Sequence, residues 1–215
     1  MTETPTEKAL SASAERLVVF TDAVAAIAIT LLILPLMESV SEVASKGSEG
    51  VSFGDFVHDH LGQFGAFVLS FAVIFRLWWA NHELFRHIAR LDSGVVRWSM
   101  VWTFAIVLLP IPTALITAYP PSHGSVALYG GALCVASGSL LMLGWHGRSH
   151  PDLAGDGTPV RREQVLASGG AFVAEVVATI IGSVFAERIN FWAFLLLFLT
   201  APIQNAIKSR WRKED

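Results

Sequence analysis

The sequence predicts an all-α integral membrane protein with six transmembrane helices per subunit. Three observations carry that expectation. Of 215 residues, 53% are hydrophobic and 15% are charged, whereas soluble domains sit nearer 45–50% and about 25%. The apolar residues fall in long blocks rather than in a 2-residue or 3.6-residue alternation with polar ones. Lys and Arg gather in alternate connections, as they do in polytopic membrane proteins.

A hydrocarbon layer about 30 Å thick needs roughly 20 predominantly apolar helical residues to cross it. Six stretches qualify, at residues 15–37, 61–85, 93–118, 124–145, 162–185 and 188–207. They form one transmembrane unit, 15–207, between an N-terminal tail (1–14) and a C-terminal tail (208–215) of mixed charge. Pro35 is expected to close the first helix, because proline removes a backbone donor and crowds the preceding turn. Residues 1–14 are polar and carry both signs of charge. They lack the basic-then-apolar pattern of a signal peptide, so the first apolar segment is expected to stay in the mature protein.

Orientation follows from the basic residues. One side collects Lys8, Arg16, Arg86, Arg90, Arg97, Arg148, Arg161, Arg162, Lys208, Arg210, Arg212 and Lys213. The other has Lys46 and Arg188 among Glu38, Glu42, Glu49, Asp55, Asp59 and Glu187. Both termini are therefore expected in the cytoplasm, as six spans require. The outer segment 38–50, rich in Ser, Glu and Gly, reads as a mobile loop. Phe53, Phe56, Val57 and Leu61 then recur at helical spacing, which predicts a short amphipathic helix in the outer interface. Residues 148–159 are rich in Gly, Pro and Asp and read as a cytoplasmic loop.

The net charge of −3 averages segments of opposite sign, and no clustered basic face points to nucleic acid. The lone cysteine, Cys134, allows no internal disulfide and reads as a small apolar residue inside a helix. Ser137-Gly138 and Ser168-Gly169 lack the preceding glycine of a Gly-x-Ser-Gly nucleophile motif, so no enzyme is expected. His58, Asp59 and His60 are adjacent, and adjacent positions on a helix diverge; they read as solvated residues rather than metal ligands. No cofactor is expected.

Polar residues inside the spans are the informative ones, since a charge at a helix centre costs about 2.5–3.5 kcal/mol on insertion scales. Asp22 lies about two turns into the first helix. It is either a buried node that fixes packing or an interfacial carboxylate that reaches water. Arg76 has Asp22, Glu83 or the inner headgroups as candidate partners, His82 sits near a helix end, and Glu175 reads as a structural partner within the bundle. Ile27, Leu31 and Leu34 fall at i, i+4 and i+7 with Thr30 beside them, so they share one face. That face either meets lipid and bundle or, if copies of the helix met on an axis, stacks into hydrophobic constrictions that gate by dewetting.

The run Arg16-Leu17-Val18-Val19-Phe20-Thr21-Asp22-Ala23-Val24-Ala25-Ala26-Ile27-Ala28-Ile29-Thr30-Leu31-Leu32 resembles the first-helix signature of the prokaryotic endolysosomal-type transmembrane potassium channels. That signature is an Arg, a Phe-Ser-Asp triplet and an Ala-Ile-Ala-Ile-Thr-Leu run. Trp79-Ala80-Asn81-His82 resembles the family's Trp-x-x-His pattern, and Leu109-Pro110-Ile111-Pro112-Thr113 its Leu-Pro-Phe-x-Thr segment. Thr21 replaces Ser and keeps a hydroxyl; Ile111 replaces the aromatic.

The resemblance implies a homotetramer in a prokaryotic plasma membrane, with the first helix around a central pore that passes K+ down its gradient. It implies Ile27 as the narrowest ring, Leu31 and Leu34 further along, and Thr30 as a hydroxyl layer. It also implies that Phe20, Thr21 and Asp22 pack and hydrogen-bond against Trp79 and His82 behind the pore helix, with Arg16 anchoring its end. No Thr-Val-Gly-Tyr-Gly filter run is present, so modest selectivity of K+ over Na+ is expected. The implied partners are the chain itself, membrane lipid and monovalent cations. The competing reading is a proton channel or ion-coupled transporter that titrates Asp22, Glu175 and His82.

Overall fold

The computed structural model describes residues 5–45, 52–119, 122–155 and 157–184. Most of these residues are helical, in α1 (Pro5–Leu31), α2 (Leu34–Ser45), α3 (Phe53–Asp59), α4 (Leu61–Phe85), α5 (Ser93–Leu108), α6 (Pro110–Ala118), α7 (His123–Ser149) and α8 (Arg162–Val184). A single 3-10 turn, Pro151–Ala154, follows α7. Five helical runs are long and apolar enough to cross a membrane: Ala12–Ser45, Leu61–Phe85, Ser93–Ala118, His123–Ser149 and Arg162–Val184. The all-α membrane fold is as expected; the sixth expected span, 188–207, and the tail 208–215 lie outside the described residues.

Two of the five runs are broken by proline, and each break has a local cause. Pro35 does not close the first helix. The chain makes one tight turn, in which the Leu32 and Ile33 N–H groups reach Ile29 and Thr30 carbonyls three residues back, and then resumes as α2. Proline is tolerated in the first turn of a helix because its missing N–H had no intrahelical partner there. The helix then runs to Ser45, so 38–45 of the expected loop is helical. Met37, Glu38, Glu42 and Ala44 are good helix formers, and the glycines come after Lys46. Pro110 likewise starts α6 at its first position, after a turn at Leu109.

Helix starts follow the capping rules. Ser52 and Asp55 form a capping box at α3, and Ser122 and Ser125 form one at α7. Asp92 caps α5, accepting the Val95 N–H at 2.8 Å. α3 buries none of its residues, as an interfacial helix would.

α7 is the central post of the bundle. Leu133, Ala136 and Leu143 are fully buried along it, and Trp102 and Ile106 of α5 share a core with Leu133 and Ala136. Without a hydrophobic drive between helices in lipid, close approach depends on small residues. At Gly130 a Cβ would collide with the Thr179 side chain of α8, so this glycine sets the α7–α8 distance. A hydroxyl chain crosses the same core. Thr113 donates to the Leu109 carbonyl (2.8 Å), which leaves Ser70 to donate to Thr113 (3.0 Å) and Tyr129 to Ser70 (3.3 Å). Three hydroxyls from α4, α6 and α7 are thereby satisfied where no water reaches.

Candidate functional site

α1 and α2 divide their surface into two faces. Thr21, Ala25, Ala28, Leu32, Leu36 and Ser39 are buried against the bundle, with Ala25, Ala28 and Leu32 at 1–2% exposure. At about 100° per residue, the opposite face carries Arg16, Phe20, Ala23, Ile27, Thr30, Leu31 and Leu34, and all of them are exposed. Ile27 is 59% exposed, Leu34 50% and Leu31 41%. The positions 16, 20, 23, 27, 30, 34 alternate steps of four and three, the 3.5-residue seam by which helices meet copies of themselves. The single protomer covers none of this seam.

Thr30 has a defined polarity on it. Its hydroxyl donates to the Ile27 carbonyl at 2.8 Å, so its proton is committed to the helix. The oxygen lone pairs remain for whatever faces the seam.

Behind the seam, the polar residues connect differently from expectation. Asp22 accepts a 2.8 Å hydrogen bond from the Trp78 indole N–H. Trp79, expected in that role, is 55% exposed. The helix phase explains the swap, since Leu77, Asn81 and Leu84 face the core and residue 78 lies nearer that direction than residue 79. His82 stacks loosely on Trp78, with ring centroids 5.7 Å apart, and its Nδ1 is buried without a partner among the described residues. Thr21 is fully buried, but its hydroxyl donates to the Val18 carbonyl of its own helix at 2.9 Å. The expected bonds from Thr21 to Trp79 or His82 are not made. Arg16 and Phe20 lie on the exposed side.

Arg76 pairs with neither of its nearer carboxylates. It reaches Glu175 on α8, with Nη1 3.4 Å from Oε1, while Glu83 takes Arg86 at 3.1 Å. Glu175 is 1% exposed and its Oε2 has no partner among the described residues. The pair ties α4 to α8 on a side of the bundle away from α1.

Three features escaped the sequence reading: Trp78 as the Asp22 partner, Asn81, and the Asp92–His146 contact. Asn81 is fully buried with both amide atoms unpartnered among the described residues; its one-turn spacing from Leu77 and Leu84 was the available signal. Asp92 lies 2.7 Å from His146 Nε2 at the basic end of the bundle. Burial alone would raise the Asp92 pKa, but the Val95 N–H and His146 hold it below its ordinary 3.8. His146 fits there because a Cβ at position 94 would strike its ring. Among the described residues no group of three or more His, Cys, Asp or Glu is placed to hold a metal.

Residues 16–110 match the model of the family described as endosomal/lysosomal potassium channel TMEM175. Over those residues, somewhat under half of the chain, this protein is similar to that family. The matched stretch starts at the arginine of the first-helix signature and ends at Pro110, so it contains the seam, Asp22, Trp78 and His82. A potassium channel of Streptomyces collinus is 30% identical over 135 residues, 61% of this chain and 63% of that protein. One of Chamaesiphon minutus is 32% identical over 126 residues, 54% and 57% respectively. The chain thus spans about three-fifths of the length of these relatives. A crystal structure of a lysosomal potassium-selective channel TMEM175 homolog from Chamaesiphon minutus shares the fold, with a TM-score of 0.65 and 24% identity. That likeness covers 90% of this chain and 99% of the other. The TMEM175 resemblance carried by the first helix therefore extends, as fold, over nearly the whole chain.

Proposed function

We propose that the chain is a potassium channel of a prokaryotic plasma membrane, with both termini cytoplasmic. In this reading four copies meet with the α1 seam on the shared axis, forming a pore domain from residues 15–207. The observation that carries it is the uncovered 3.5-residue seam of α1. A closed symmetric assembly buries the same strip of every copy. Ile27 makes the narrowest ring, Leu31 and Leu34 line the next turns, and Thr30 places hydroxyl oxygens between aliphatic layers. Branched aliphatic rings exclude water until they dilate or rotate. They offer no dense carbonyl coordination, so selectivity for K+ over Na+ is modest. Asp22 and Trp78, with Thr21 and His82 of the signature beside them, hold the rear of α1 and set its resting rotation, while Arg16 and Phe20 lie on the seam itself. No cofactor takes part beyond the permeant ion.

The alternative, a proton channel or transporter that titrates Asp22, Glu175 and His82, has less support. Asp22 is engaged by Trp78, and Glu175 by Arg76. Those two carboxylates lie on different sides of the bundle.

The test is K+ flux into liposomes with wild type and Ile27→Asn side by side. Wild type should pass K+ with no other substrate, and Ile27→Asn should raise the leak and reduce the preference for K+ over Na+. Unchanged flux in Ile27→Asn would falsify the pore assignment.

A further inference from the structure

The interior of the bundle is divided into two apolar cores. Ala25, Leu77, Trp102 and Leu140 belong to one; Leu84, Val95 and Leu143 belong to the other, with Val18 packed against it. The boundary falls at one level on three helices. Thr21 lies between Val18 and Ala25 on α1, Asn81 between Leu77 and Leu84 on α4, and Ser99 between Val95 and Trp102 on α5. All three are fully buried. α1 packs on both α4 and α5, and so does α7, so α4 and α5 face each other across a core that the other two close. As consecutive spans α4 and α5 run in opposite directions. One turn on from Leu77 is therefore level with one turn back from Trp102, which sets Asn81 opposite Ser99.

The polar atoms of this layer are not used by the protein itself. Both amide atoms of Asn81, the Ser99 hydroxyl and the Trp102 indole N–H are buried without a partner among the described residues. Thr21 gives its proton to the Val18 carbonyl at 2.9 Å, so its oxygen can only accept. Buried polar groups are costly unless they are hydrogen-bonded, and a common partner at one level would satisfy all of these together. Their chemistry narrows what that partner is. A cation would meet the Asn81 amino group and the Trp102 N–H, and an anion would meet the Asn81 carbonyl and the Thr21 oxygen. Water donates and accepts, and an internal water needs two to four polar partners. The side chains also leave room, since a serine faces an asparagine here where a leucine faces a tryptophan one turn away.

We infer that the layer between the two apolar cores is a site for ordered water, which bridges Asn81 of α4 to Ser99 and Trp102 of α5 and donates to the Thr21 oxygen of α1. The site stands on burial and register inside one protomer and does not depend on the pore reading.

Solid-state NMR of the full chain in liposomes tests it, by transfer of proton magnetisation from water to isotope-labelled nitrogen. The backbone N–H of Leu133 is the dry control, because it is equally buried and bonded within α7. In wild type the Trp102 indole N–H and the Asn81 amide group should receive water magnetisation well above that control. In Asn81→Leu/Ser99→Ala the water loses its partners on both sides, and the Trp102 signal should fall to the control level. Wild-type Trp102 and Asn81 signals no stronger than that of Leu133 overturn the site, and this comparison needs no variant to fold. A Trp102 signal that persists undiminished in the double variant overturns it as well, because water then reaches the indole without the layer.

Discussion

Two carboxylates inside the spans have been given partners of opposite kind, and the difference predicts how each responds to loss of its partner. Glu175 faces a cation across 3.4 Å in a place water barely reaches. Removing one member of a buried pair leaves the other charge uncompensated, at a cost of about 3–5 kcal/mol, whereas replacing both by apolar groups is often neutral. Arg76→Met should therefore sharply lower the melting temperature in detergent. Arg76→Met/Glu175→Leu should recover most of it, and failure of the double variant to recover would show that the pair does more than hold α4 to α8. Asp22 instead accepts a neutral donor and lies only partly buried. Trp78→Phe keeps the ring and deletes the N–H, so the expected cost is smaller, about 1–3 kcal/mol for a buried acceptor left unpaired. If Asp22 sets the rotation of α1, the same variant should change the open fraction in single-channel recordings while leaving the K+ to Na+ permeability ratio in place.

Elements differed in how far they could be read from the chain. Long apolar runs announced the spans because lipid forces every backbone group to bond within its own helix, and part of the α1 seam, Ile27, Leu31 and Leu34, was visible as one face because helical spacing needs no tertiary information. What failed to show was phase and partner choice. Trp78 and Trp79 are identical as residues, and only the packing of Leu77, Asn81 and Leu84 decides which indole meets Asp22. Arg76 had Glu83 seven residues away, yet its partner stands 99 residues on, a distance no local pattern encodes. Pro35 was read as a terminator because proline ends helices from their interior, while the same residue starts one when a tight turn precedes it. The second role of Asp92, which caps α5, was missed because its partner His146 arrives from α7, 54 residues on. That cap carries a pH prediction. A carboxylate whose pKa is depressed on folding adds stability above its unfolded value, and the contribution is lost as pH falls through the folded value. Thermal stability should thus drop as pH falls below about 3.8. Asp92→Asn keeps a capping oxygen but no charge and should flatten that acid limb, whereas Asp92→Ala should cost about 0.5–2 kcal/mol at neutral pH.

At the scale of the whole molecule, the uncovered surface of one protomer is mostly apolar, and lipid accounts for most of it. Phe104 and Val173 are as exposed as Ile27, so exposure alone cannot mark a pore. The seam differs in running from Arg16 to Leu34 at a single period, in holding a hydroxyl whose proton is already committed, and in having its rear face pinned by Trp78. If four copies converge there, Leu34→Cys, in a background with Cys134→Ala, places thiols on a common axis, where thiolates readily bind Zn2+. Micromolar Zn2+ should then block K+ flux, and a chelator should restore it. Val177→Cys in the same background puts its thiols on an uncovered face of α8, and Zn2+ should leave its flux unchanged. Light scattering of the purified protein, corrected for detergent, should give a mass four times the 23.3 kDa of the chain. Block in both variants would place Zn2+ outside the axis, and block in neither would separate the α1 seam from the conduction path even if the protein conducts.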